Sequence, residues 1–298
     1  MERVHIQEHI PLGPKTTMRI GGQARYYAEL ATKEDAEQAV RFSQEQGLPL
    51  IPLGGGSNTI FADGMINALV VRLKADAVTV DGNRVTVEAG KILASLLNEL
   101  AAQNLDLSAL TGIPGTVGGA IFGNAGQGAG GIWIGHFVEN VTALIDGEWK
   151  IFSKEECDFR YRESRFKDLQ ATSYKLQAPL VWQTTLTVPS RPSTDIKADI
   201  ERLIKKRIET QPHIKTAGSC FKSLPDGTPA WKLIDAAGLR GTKIGGIQIS
   251  EKHANFLLNV EKGTFQDALS LTQLIREKVP RIAEIEMRFY DEGGNIVP

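Results

Sequence analysis

Two stretches of this chain are dense in glycine in a way that lets backbone groups do chemistry. The run Gly54-Gly55-Gly56-Ser57-Asn58 follows directly on the apolar segment LPLIPL at 48–53. Without β-carbons in the way, successive N–H groups can converge on an anion, and Ser57 and Asn58 add side-chain donors. Taken alone, the same pattern is first of all that of a strand-exit turn. It is not a P-loop, because no Gly-Lys-Ser/Thr follows. The second stretch, 107–135, runs for 29 residues without one Asp, Glu, Lys or Arg and holds 10 of the 30 glycines. That glycine density argues against a membrane helix and for a functional loop system. Gly126, Gly128 and Gly131 fit G-x-G-x-x-G, but no clear strand precedes them and Ile132-Trp133-Ile134 follows in place of a helix start, so the dinucleotide fingerprint is rejected. The two loops together could wrap a long cofactor containing a diphosphate; each could equally ease a tight chain reversal.

The composition narrows the classes. With 34 Lys+Arg against 35 Asp+Glu, the net charge of -1 lacks the basic excess of a nucleic-acid binder, while leaving room for a small anion held by a few local cations. A hydrophobic share of 42% with 23% charged residues is that of a globular protein, and 298 residues suggest about two domains. Cys157 and Cys220 are too few for a disulfide scaffold and point to a reducing cytoplasm. MERVHIQEHIPLG at the start lacks the apolar core of a secretory signal. No His, Cys and carboxylate spacing suggests a metal site. Without coiled-coil heptads, a monomer is the simplest expectation.

Several elements must position the loops. YYAEL (26–30) reads as a strand; Thr32 caps a helix that closes at Gly47; LPLIPL and NALVVRL (67–73) read as strands. Hairpins are expected around Asp81-Gly82 and Asp146-Gly147, with a helix at 91–104 between them. LVWQTTLTV (180–188) is a strand running into PSRPSTD (189–195), the best linker in the chain, where a domain boundary is placed. Helices are expected at about 194–209, 228–238 and from 264 to before Pro280, with strands ANFLLNV (254–260) and AEIEMRFY (283–290), forming a separate α+β domain.

TTMRIGGQA (16–24), LGGGSNTIFADG (53–64), GIPGTVGGAIFGNAG (112–126), YRESRFK (161–167), AGSCFKS (217–223), KLIDAAGLRG (232–241), GGIQISEKHANFLLN (245–259) and EIEMRF (284–289) occur in one order along the chain. In this the sequence closely resembles the UDP-N-acetylenolpyruvoylglucosamine reductase (UDP-N-acetylmuramate dehydrogenase) family, in a shorter subtype lacking a loop over substrate. The resemblance implies an α+β fold. Residues 1–190 would form an FAD-binding region of the vanillyl-alcohol-oxidase (PCMH) type, with subdomains of about 1–73 and 74–190. Residues 191–298 would form the substrate-binding domain. It also implies FAD and NADPH as cofactors, UDP-N-acetylglucosamine enolpyruvate as the small-molecule substrate and UDP-N-acetylmuramate as product, in peptidoglycan precursor synthesis. The implied cofactor-binding residues are Gly54, Gly55, Gly56, Ser57 and Asn58, then Gly112, Ile113, Pro114, Gly115, Thr116, Gly118, Gly119, Ala120, Asn124 and Gly126.

By the same resemblance Arg162 polarises the substrate carboxylate, for which a planar guanidinium offers two parallel hydrogen bonds. Glu286 is the implied partner of the enolic intermediate and Ser219 the proton donor, a weak acid that suffices when placed in contact with a carbanion-like carbon. Strand alternation would put Glu284 and Glu286 on one face, and only the family pattern selects Glu286. Outside the motifs, Arg162 and both glutamates would be read as surface residues and Ser219 as a turn or cap. Tyr161, Lys222, Ser223, Gln248, His253 and Asn255 are the implied substrate contacts; a lone histidine such as His253 is more often structural. The chain departs from the family pattern at Ser223-Leu224, which replace Asn-Pro, in the end of the glycine block, and at Ala283, which replaces leucine; affinity is affected before reaction type. Two other functions compete. One is an oxidase of the same flavin superfamily, against which AGSCFKS and EIEMRF speak. The other is a non-enzymatic UDP-sugar or flavin-binding module, against which Arg162, Ser219 and Glu286 speak.

Overall fold

In the computed structural model, which describes residues 4–127, 131–172, 178–282 and 284–297, the helix Lys33–Gln46 starts and stops where side-chain chemistry dictates. Thr32 accepts from the Asp35 N–H, the Asp35 carboxylate accepts from the Thr32 N–H, and Gly47 ends the helix in the left-handed region at φ 62°. The chain divides into two units of non-contiguous segments: Met1–Gln7, Tyr26–Gly55 and Ala68–Lys206 in the first, Glu8–Arg25, Gly56–Asn67 and Arg207–Pro298 in the second.

In the first unit the strand Leu50–Pro52 pairs in parallel with Leu69 to Val71. Ala36, Ala39 and Val40 of the helix Lys33–Gln46 pack with Leu50, Leu69, Val71 and Trp182. A five-stranded antiparallel sheet follows, in the order Val78–Asp81, Arg84–Glu88, Leu180–Thr187, Val138–Ile145, Glu148–Ser153. Its second hairpin turns on Asp146 and Gly147, both at positive φ (52° and 82°), the twist that suits a two-residue connection. The helices Leu93–Ala101 and Val117–Phe122 share a core with this sheet, Leu96, Val117 and Ile121 of the helices with Val85, Val87 and Val141 of the strands. Pro189 to Ser193, read as linker, is hydrogen-bonded to Asn104 and Asp106, and Ile196 and Ile200 of the helix Ser193–Thr210 pack on Ala101; the division between units falls inside that helix.

The second unit has a three-stranded antiparallel sheet, Lys243–Ile244, Ile247–Ile249 and Leu257–Asn259, covered by the helix Phe265–Lys278. Its other sheet pairs Arg288–Tyr290 antiparallel with Ile296–Val297 and parallel with Thr59–Phe61. Phe221 and Phe289 are fully buried in the common core, each contributing about 1.5–3 kcal/mol by burial. The two strands expected here are shorter than the sequence suggests. ANFLLNV is extended only over Leu257–Asn259, because 253–256 forms a turn closed by the Phe256 N–H on His253 O. AEIEMRFY is a strand only over Arg288–Tyr290, and Ala283 lies outside the described residues. Among the described residues no helix is long and apolar enough to cross a membrane.

Candidate functional site

The first unit brings the two glycine-dense stretches together. The apolar strand ends where Leu53 N–H bonds Val71 O. A β-carbon on Gly54 would then lie 2.8 Å from the Thr116 side-chain Oγ1, and one on Gly55 2.6 Å from Gly115 Cα, so Gly55 and Gly115 meet backbone to backbone. Thr116 caps the helix Val117–Phe122, whose first N–H groups are already used: Val117 bonds Lys91 O and Gly118 bonds Ala89 O. The N–H groups of Gly54, Gly55, Gly115 and Thr116 donate to no acceptor among the described residues. Gly112 and Gly115 hold positive φ, 79° and 103°. Unused donors grouped on side-chain-free loops fit the oxygen-rich diphosphate of a dinucleotide such as FAD. Ile113 and Ala120, expected on the cofactor, are buried in the core beneath.

Asn124 is also spent within the chain. It is buried at φ 41°, accepts the Gly135 N–H at 3.0 Å and donates to Arg160 O at 2.8 Å. Ser164 Oγ donates to Phe122 O at 2.7 Å, so the segment carrying Tyr161 and Arg162 is tied down at both ends. Arg162 itself sits in the left-handed region, φ 59°, an uncommon conformation for a long side chain. Its guanidinium lies 5.8 Å from the Tyr161 ring centroid, and that ring is 6.0 Å from Trp133. Gly126 is required by Trp133, whose ring would sit 1.8 Å from a β-carbon there. Gln127 escaped the sequence reading: its amide bridges Ala109 O and Thr111 O, fastening the end of the glycine block to its start.

In the second unit Gly56, at φ 66°, has no room for a β-carbon, which would lie 2.4 Å from Lys15 O. Its carbonyl takes the Thr17 N–H, while the Thr17 hydroxyl donates to Thr216 O at 2.6 Å, which gives the TTMRIGG segment its task. Gly218 at φ 81° turns the chain into Ser219, which is half-buried and bridges to Phe256. Among the described residues the Ser219 hydroxyl has no hydrogen-bond partner. The next residues are clamped: Cys220 N–H bonds Asn255 O at 2.8 Å, and the Asn255 amide both accepts the Phe221 N–H (3.0 Å) and donates to Phe221 O (2.8 Å). Asn255, expected on substrate, thus shapes the strip that presents Ser219. Cys220 O receives the Glu286 N–H at 2.8 Å, joining the proposed acid and the proposed carboxyl partner through one residue.

Residues 284–286 form a single antiparallel bridge, Ile285 to Phe221, in place of the expected strand, and the two glutamates differ in exposure and partners. Glu284 is exposed and paired with the buried Lys222 ammonium, whereas Glu286 is half-buried. Gln248 donates to Gly241 O at 3.1 Å. His253 lies between the Trp231 and Phe256 rings and accepts the Asn255 N–H at Nδ1, so its neutral ring carries the proton on Nε2; burial and then Arg240 hold its pKa down. Ser223 is half-buried beside Lys222. Burial drives the Cys220 thiol well above its ordinary pKa, with Glu286 adding to the rise, and burial pushes Cys157 up to about 12; both are free and inert as nucleophiles. Among the described residues no cluster of ligands could hold a metal ion.

Comparison with known proteins gives two family matches: an FAD binding domain over residues 24–146, and the C-terminal domain of UDP-N-acetylenolpyruvoylglucosamine reductase over residues 210–289. The chain is 34% identical to UDP-N-acetylenolpyruvoylglucosamine reductase of Moorella thermoacetica, covering 98% of this chain and 95% of that one. With the protein of the same name from Enterococcus faecalis it shares 36% identity over 93% of this chain and 90% of the other. Among solved structures it is similar to UDP-N-acetylenolpyruvylglucosamine reductase from Thermus caldophilus, with a TM-score of 0.81 and 31% identity over 97% and 99% of the two chains.

Proposed function

The chain belongs to the UDP-N-acetylenolpyruvoylglucosamine reductase family and is an FAD-dependent oxidoreductase, and from that premise we propose that it uses NADPH to reduce UDP-N-acetylglucosamine enolpyruvate to UDP-N-acetylmuramate. FAD, when bound and reduced, supplies the hydride taken up by the enolpyruvyl methylene carbon. Residues 1–190 serve as the flavin-binding region and 191–298 as the substrate-binding region, in keeping with the family matches at 24–146 and 210–289. The N–H groups of Gly54, Gly55, Gly115 and Thr116 hold the cofactor diphosphate. Arg162 holds the substrate carboxylate and draws charge toward it. Ser219 Oγ gives its proton to the carbon next to that carboxylate, and Glu286 hydrogen-bonds the enolic oxygen as charge develops there. Tyr161, Lys222, Ser223, Gln248 and His253 supply further contacts to the substrate, to its diphosphate and carboxylate. The enzyme acts as a monomer in the cytoplasm, in peptidoglycan precursor synthesis.

The observation that carries this reading is the pairing of a Ser219 hydroxyl without a partner among the described residues with a half-buried Glu286 whose N–H is bonded to Cys220 O, one residue away. A serine kept only for structure would be expected to use its hydroxyl on a neighbour. The test is anaerobic stopped-flow on Ser219→Ala. Reduction of the flavin by NADPH should proceed at the wild-type rate, and reoxidation by the enolpyruvyl substrate should slow by about 10²–10⁴-fold. Equal slowing of both half-reactions would remove Ser219 as the proton donor. If the wild-type flavin were reoxidised by oxygen alone, the substrate assignment would fall.

A further inference from the structure

We infer that Asn58 is a positioning residue for Glu286 and couples the cofactor loop to it. The inference rests on the reading of Glu286 given above. Asn58 Nδ2 donates to the Glu286 main-chain oxygen at 3.0 Å, and Asn58 O accepts the Arg288 N–H at 3.0 Å. On its other side the Glu286 N–H is held by Cys220 O at 2.8 Å. Both peptide groups that flank the Glu286 side chain are therefore fixed, one by the neighbour of Ser219 and one by the last residue of the glycine loop. The fixation continues directly into a parallel ladder in which Thr59, Ile60 and Phe61 face Arg288, Phe289 and Tyr290. Asn58 stands one position before the first rung, where its amide extends the ladder by one bond.

Asn58 faces two ways. Its main-chain N–H, like that of Gly56, donates to no acceptor among the described residues, while its side chain is committed to Glu286. Asparagine is needed because the position must donate to a carbonyl. Aspartate has the same shape with only acceptors, and serine is too short to span the same gap. The side chain called a cofactor contact by its place in the glycine loop thus acts on the substrate step.

The experiment compares Asn58→Ala, and the isosteric Asn58→Asp should alanine unfold the protein, in wild-type and Glu286→Gln backgrounds. Flavin content is measured by absorbance so that only loaded enzyme is counted. In loaded enzyme, reoxidation by UDP-N-acetylglucosamine enolpyruvate should slow by about 10²-fold, since a misplacement of about 1 Å costs that much. Flavin reduction by NADPH should be unchanged within about twofold, and in the Glu286→Gln background the Asn58 substitution should add less than about twofold. The pH profile of reoxidation should also move, as it would for a change at Glu286 and not for a loss of packing. The inference is overturned if Asn58→Ala slows reoxidation by the same factor with Glu286→Gln in place. It is equally overturned if the variant loses FAD affinity but reoxidises at the wild-type rate once loaded, which would make Asn58 a cofactor ligand only. A wild-type flavin that the enolpyruvyl substrate never reoxidises would sink the reading of the site, and this inference with it.

Discussion

An asparagine amide carries a donor and an acceptor, and several asparagines here spend them on the main chain. Asn255 brackets Phe221, Asn124 joins Gly135 to Arg160, Asn259 takes the Gly263 N–H and donates to Met18 O, and Asn58 holds Glu286. A motif in a sequence cannot tell an amide that faces a ligand from one that holds the strip presenting the ligand's partner, which is why Asn58, Asn124 and Asn255 read as contacts. The distinction is measurable as stability. Asn255→Ala strips two partners from the backbone of the buried Phe221, and leaving such groups unmet costs about 1–3 kcal/mol each. Ser219→Ala removes a hydroxyl that bonds no group among the described residues and should lie within about 0.5 kcal/mol of wild type. Urea unfolding of the flavin-free protein should therefore show a large drop for Asn255→Ala and almost none for Ser219→Ala. Equal drops would mean that Ser219 is structural.

At the scale of elements, helix ends were the most legible part of this chain, because a cap is written within four residues. Thr32, Gly47, and Thr264 before the helix Phe265–Lys278 all stand where the sequence places them, as does the Asp146-Gly147 turn. The pairing of Thr59–Phe61 with Arg288–Tyr290 was not legible, since neither three-residue strand signals a partner at the far end of the chain. Glu284 and Glu286 are a related case: the alternating pattern of 284–286 suits a strand, but the segment makes a single antiparallel bridge, Ile285 to Phe221, whose partner lies some sixty residues back in the chain. Asp267 carries more than its cap. Its carboxylate takes the N–H groups of Thr264 and Gly246, which hold its pKa below the ordinary carboxylate value. A lowered folded pKa means a stabilisation fully present above the unfolded value and lost as pH falls through the folded one. Asp267→Ala should cost about 0.5–2 kcal/mol at neutral pH. The gap from wild type in urea midpoint should close as the solution is taken below the carboxylate range, and a gap constant with pH would assign the effect to packing.

For the whole molecule, cofactor binding and stability are linked, and glycines can report on the link. Most glycines of the two loops are explained by the protein: β-carbons on Gly54, Gly55, Gly118 and Gly126 would meet other atoms at 2.8 Å or less. Gly119 is different, since among the described residues its β-carbon would meet only Thr116 Oγ1, at 3.6 Å, an ordinary contact, and it lies inside the helix Val117–Phe122. Glycine there is costly to the empty protein, by about 1 kcal/mol relative to alanine. What packing does not require, a ligand passing close to the backbone would. Gly119→Ala should therefore raise the melting temperature of the flavin-free protein while shrinking the rise that FAD produces. Saturation at a hundred times the dissociation constant contributes about 2.7 kcal/mol, and each tenfold loss of affinity removes about 1.4 kcal/mol at fixed FAD. Differential scanning calorimetry with and without FAD gives both numbers on one sample. Curves that shift upward together would place the cofactor away from Gly119, whereas a crossing, with the variant more stable empty and less stable loaded, is the outcome expected of a glycine kept for a ligand.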